Sequence, residues 1–137
     1  MQGIKIKDKR QSNNGSFLDF DLKDILAELQ ESVLESNWVC RDLLCTAIRN
    51  EKFISIQEER LKFSGEELIK FANSIHQTIE GRFEAKTGGA AKRPWLIIIA
   101  FDSSWFEVWT SKSWVIKKLK ERFENVSDIS KISAKSL

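Results

Sequence analysis

The chain has 137 residues, 42% of them hydrophobic and 31% charged, which is enough for one domain with a real core and too apolar for wholesale disorder. Lys plus Arg number 22 against 20 acids, so the net charge of +2 selects no class of partner by itself. No apolar run nears the roughly 18–20 residues of a membrane-spanning helix. The opening MQGIKIKDKRQSNNGS lacks the apolar core of a secretory signal, so a cytoplasmic protein with no membrane association is expected.

In chain order, residues 1–16 are polar and read as a flexible N-terminal segment, with IKIK able to add an edge strand. A single domain is expected over 17–126. It opens with DLKDILAELQESVLESN, where Leu22, Ile25, Leu26, Leu29 and Val33 fall on one helical stripe. Asp21 is placed to cap this helix, with Asp24 one turn on. WVCRDLLCTAI, residues 38–48, fits either a helix or a strand; its β-favouring residues around Arg41-Asp42 make it a strand. Arg49 to Lys52 then turn the chain into a second strand, FISIQ.

In LKFSGEEL, Ser64 and Glu67 have the spacing of a capping box, with Phe63 and Leu68 positioned as a hydrophobic staple. The helix that follows carries Leu68, Phe71, Ala72, Ile75 and Ile79 on one face, with His76 on its flank. IEGRFEAK alternates as a half-exposed strand, and KTGGAAKRP is a basic, glycine-containing loop. PWLIIIAF is apolar throughout, which predicts a central strand covered on both faces. Asp102-Ser103-Ser104 turns into WFEVWT, and a last helix begins near Ser111, with Val115, Ile116, Leu119 and Phe123 inward. Residues 127–137 read as a flexible C-terminal tail. The sum is an α+β domain of two layers, with a mainly antiparallel sheet of about five strands and three helices in the order α-β-β-α-β-β-β-α.

Three sets of residues carry candidate functions. On the strand 104–110, Trp105, Glu107 and Trp109 share a face, and two indoles around a carboxylate suit a hot spot for a protein partner. The same rings also suit burial beneath a neighbouring segment, and Trp95 and Trp114 suit the core boundary. Residues 19–35 hold six acids against Lys23, which makes the first helix a second surface for a partner. Residues 86–122 hold eight bases against three acids, and Lys86, Lys92, Arg93, Lys117, Lys118 and Lys120 are candidates for binding nucleic acid. Helix, three antiparallel strands and helix is also similar in element order to double-stranded-RNA-binding domains. However, Trp114, Val115 and Ile116 stand where that family has closely spaced lysines.

Signals for catalysis are thin. His76, Asp102, Ser103 and Ser104 are the ingredients of a triad, which acts only if they converge in a cleft, and Asp-Ser-Ser is first of all turn chemistry. No cofactor fingerprint is present. Cys40, Cys45 and His76 are too few for a zinc site, so buried free thiols and no metal are expected. The functional expectation is a small non-enzymatic module that binds another protein, possessing no cofactor, with nucleic-acid binding as the alternative.

Overall fold

Strands whose alternate residues are apolar must stack that face against something, and here every sheet partner lies antiparallel to its neighbour. The computed structural model describes residues 1–8, 19–47, 53–56, 60–88 and 93–130. In chain order the elements are β1 (Gln2–Lys7), α1 (Leu22–Glu28), α2 (Gln30–Leu34), β2 (Asn37–Ala47), β3 (Phe53–Ile56), β4 (Leu61–Ser64), α3 (Gly65–Ser74), β5 (Ile75–Lys86), β6 (Leu96–Phe101), β7 (Trp105–Thr110), α4 (Ser113–Arg122) and β8 (Asn125–Ile129). The sheet order is β3-β2-β5-β6-β7-β1-β8, and β4 pairs with the other end of β2 on the side of β3.

The fold is α+β, but the expected five strands and three helices are eight and four among the described residues. Five strands fall where they are expected, and 38–48 is indeed extended, as β2. The additional strands have separate physical origins. β1 lies in the segment read as a flexible lead-in and pairs on both sides, with β7 and β8, because Ile4 and Ile6 are fully buried in the core. β8 extends into the segment read as a tail. β4 overlaps the capping signal: Leu61–Ser64 pairs with Asn37–Cys40 and then delivers Ser64 as the cap of α3. With β1 paired into the sheet and β8 added after α4, the element order no longer matches that of a double-stranded-RNA-binding domain.

The extra helix comes from a break. The stripe from Leu22 to Val33 is continuous, yet Leu29 leaves helical geometry at φ −115° and ψ 19° and its N–H bonds the Leu26 carbonyl. α1 and α2 thus meet at a corner with Leu29 still buried. Asp21 caps α1 as expected, in a box with Asp24. Ser64 caps α3, whose Glu67 carboxylate accepts the Ser64 N–H in return. α3 ends at Ser74, and Ile75 already belongs to β5, so the later residues of the expected stripe are in the sheet.

The helices cover one sheet face. Their buried residues Leu22, Ile25, Leu26, Leu68, Val115 and Leu119 join Ile4, Ile6, Trp38, Phe83, Leu96, Ile98, Phe106 and Val108 in one core. On the opposite face Ile97, Ile99, Phe101 and Trp109 form a second apolar cluster, so β6 is buried on both sides. Residues 9–18, 48–52, 57–59, 89–92 and 131–137 lie outside the described residues, and with them the Arg49–Lys52 turn, Lys92 and the end of the tail. No helix among the described residues is long and apolar enough to cross a membrane.

Both cysteines lie in β2 beneath the helices and are free thiols. Burial pushes the Cys40 thiol up to about 12 and the Cys45 thiol up to about 11. A thiol held protonated and buried does not attack. The native protein is therefore expected to leave a chromogenic disulfide reagent untouched at pH 8 while the denatured chain titrates two thiols. Rapid reaction of either one in the native state would contradict this placement.

Candidate functional site

The tryptophan strand closes on itself. The Trp105 Nε1–H donates to one Glu107 carboxylate oxygen at 3.3 Å and the Trp109 Nε1–H to the other at 3.2 Å. A carboxylate buried without partners is costly, and here two N–H donors lie two residues away on either side along the same strand face. The Trp105 ring stacks on Phe101 at 5.2 Å, and the Lys5 ammonium sits 4.1 Å from its centroid. Trp109 lies across β1: a Cβ on Gly3 would stand 2.6 Å from its ring carbons. Glu107 is 1% exposed and Trp109 6%, so of the three only the half-buried Trp105 offers surface.

The described basic candidates are divided between the end of the sheet and α4. Lys86 and Arg93 flank the end of the sheet where the Trp95 N–H bonds the Ala85 carbonyl. On α4 the lysines radiate in different directions, because residues two apart on a helix lie about 200° apart. Lys118 faces the α1–α2 side, Lys120 pairs with Asp128 on β8 at 2.8 Å, and Lys117 is exposed. Lys92 lies outside the described residues.

His76 and Ser103 both line a cavity of about 350 Å³ where α1 begins against β5. The carboxylates beside them are Asp19, Asp21 and Asp24 rather than Asp102. Two of these carboxylates hold the fold together. Asp21 accepts both the N–H and the hydroxyl of Thr78, at 3.0 and 2.7 Å, and Asp24 accepts the Asp21 N–H at 2.8 Å. Asp102 and Ser103 adopt left-handed φ values of 45° and 59° in the turn from β6 to β7, where the Ser103 N–H bonds the Ile79 carbonyl. No group of three or more metal-ligating side chains is assembled among the described residues.

The exposed apolar groups point elsewhere. Leu34 on α2 and Trp114 on α4 are 49% and 41% exposed and line one groove of about 480 Å³ between the α1–α2 corner and α4. Its base is anchored by two indoles. The Trp38 Nε1–H donates to the Val33 carbonyl at 3.1 Å, and the Trp95 Nε1–H donates to the Ser36 hydroxyl at 2.9 Å, fixing the end of α2 to the sheet. Trp114 stacks on Trp95 at 6.4 Å, and the Lys112 ammonium lies 4.9 Å from the Trp95 centroid. Glu31 and Glu28 rim one wall and Lys118 the other. The acidic first helix thus contributes a wall of this groove, whereas sequence reasoning puts Trp114 at the core boundary and gives Leu34 no role. The available signals are that Leu34 lies off the buried stripe and that Trp114, Lys118 and Arg122 repeat every four residues.

No family model, curated protein or solved structure matches the chain.

Two measurements test these placements. Gly3→Ala pushes a methyl group into the Trp109 ring and is expected to cost about 1–3 kcal/mol in urea unfolding; an unchanged midpoint would show that the ring is not held there. Burial pushes the Asp21 carboxyl up, against the lowering effect of the Thr78 bonds, and the Asp24 charge adds to the rise. The folded state then binds that proton more tightly than the unfolded one, so stability falls as pH rises through the carboxylate range. Relative to Asp21→Asn, the wild type should lose stability between about pH 3 and pH 6, and a pH-independent difference would contradict a raised carboxyl.

Proposed function

We propose that this protein is a non-enzymatic protein-binding module whose contact surface is the groove between the α1–α2 corner and α4. The observation that carries this proposal is the pairing of exposed Leu34 and Trp114 across one groove on a rigid base. Large apolar side chains at half exposure are costly to leave in water, and a Trp on a fixed platform is the kind of residue around which protein interfaces concentrate their energy. Trp114 is preorganised by its stack on Trp95, so little side-chain freedom is lost on binding. The Trp105–Glu107–Trp109 face offers less, since its polar atoms already satisfy one another.

Trp114→Ala and Leu34→Ser remove surface groups, so both variants are expected to fold, as judged by circular dichroism and urea midpoint. Each is expected to weaken binding to a captured partner about tenfold or more, the range of an interface hot spot. Phe53→Ser, at a still more exposed position on β3 at the far edge of the sheet, serves as the control and should leave binding unchanged. Retention of the partner by both groove variants would move the contact surface elsewhere.

A further inference from the structure

The groove carries its own complement, and we infer that its occupant is the groove of a second copy of this chain. This deepens the protein-binding proposal and rests on it. The walls run antiparallel. At one end Trp114 stacks on Trp95, which bonds Ser36 just beyond Leu34, and at the other Arg122 pairs with Glu28 at 3.2 Å. Between these ends, Glu31 on α2 and Lys118 on α4 line the two walls, and neither makes an ion pair among the described residues. Each wall therefore presents one exposed apolar side chain and one unpaired charge, acidic on α2 and basic on α4.

A two-fold axis running along the groove sets the α2 wall of one copy over the α4 wall of the other. Leu34 then meets Trp114 twice and Glu31 meets Lys118 twice, as an isologous interface requires. An axis across the groove instead sets acid over acid and base over base, which like-charge repulsion disfavours. A single apolar, uniformly acidic or uniformly basic partner leaves one of these charges opposed or unpaired. A second copy matches both.

The test uses the full chain and two charge reversals. The wild type is expected to dimerise reversibly in sedimentation equilibrium. Glu31→Lys and Lys118→Glu alone each place like charges across both contacts and should weaken association about tenfold or more. In an equimolar mixture of the two variants, the lysine introduced in one copy faces the glutamate introduced in the other. The unaltered Glu31 and Lys118 face each other at the second contact, so the mixture should recover association as a heterodimer. A wild type that stays monomeric to millimolar concentration, or a mixture that fails to recover, overturns the second-copy assignment. If in that case Trp114→Ala still abolishes capture of a different protein, the groove remains a binding surface and only its occupant is wrong. A dimer indifferent to both charge reversals and to Trp114→Ala places the dimer interface elsewhere and likewise overturns the second-copy assignment, while retention of partner capture by both groove variants would overturn the groove itself.

Discussion

A buried indole must give its N–H to an acceptor, and in this protein that requirement locates the elements around the groove. Trp38 and Trp95 are both buried, and each spends its N–H on the end of α2, one at the Val33 carbonyl and one at the Ser36 hydroxyl. Those two bonds hold a helix of only five residues, too short to be stable by itself, at a fixed height above the sheet. Close packing reinforces them: Gly65 lies against the Val33–Leu34 backbone, where a Cβ would stand 2.1 Å from the Val33 carbonyl oxygen. Leu34 and Trp114 are both exposed above these tied-down groups.

The same requirement is met differently on the far face. Trp105 and Trp109 find their acceptor within their own strand, in the Glu107 carboxylate. That arrangement takes up the polar atoms a ligand would address, and Arg41 and Arg82 paired to Glu84 do the same further along the sheet. The sheet therefore has one face buried under helices and one face whose charged groups are largely matched internally. At the α2–α4 groove an exposed leucine, an exposed tryptophan and one charge of each sign, neither in an ion pair among the described residues, come together.

Local signals are legible in the sequence. The Ser64–Glu67 box, the Asp21 cap and the continuous apolar run of β6 each depend on residues a few positions apart, and each appears where the sequence places it. What depends on distant partners is not. β1 is paired on both sides because Ile4 and Ile6 fill the core between α4 and the sheet, whereas IKIK by itself suggests no more than an edge strand. β4 is hidden because its four residues also spell a helix entry. The break at Leu29 has no glycine or proline to announce it and falls within a continuous apolar stripe. At the candidate site, acidity of the first helix and clustering of tryptophans are both visible, but the roles of the rings are exchanged. Trp109 is closed in by Gly3, and Trp114, placed at the core boundary from its neighbours, carries the exposed surface.

The claim that the groove is the working surface is tested most directly by amide hydrogen exchange on the intact protein, compared between dilute and concentrated samples. Slower exchange on concentration is expected in peptides covering residues 28–35 and 112–119, with no change at 75–78 beside His76 or at 105–109. Protection confined to those latter segments, or none anywhere while association is shown to occur, would contradict it.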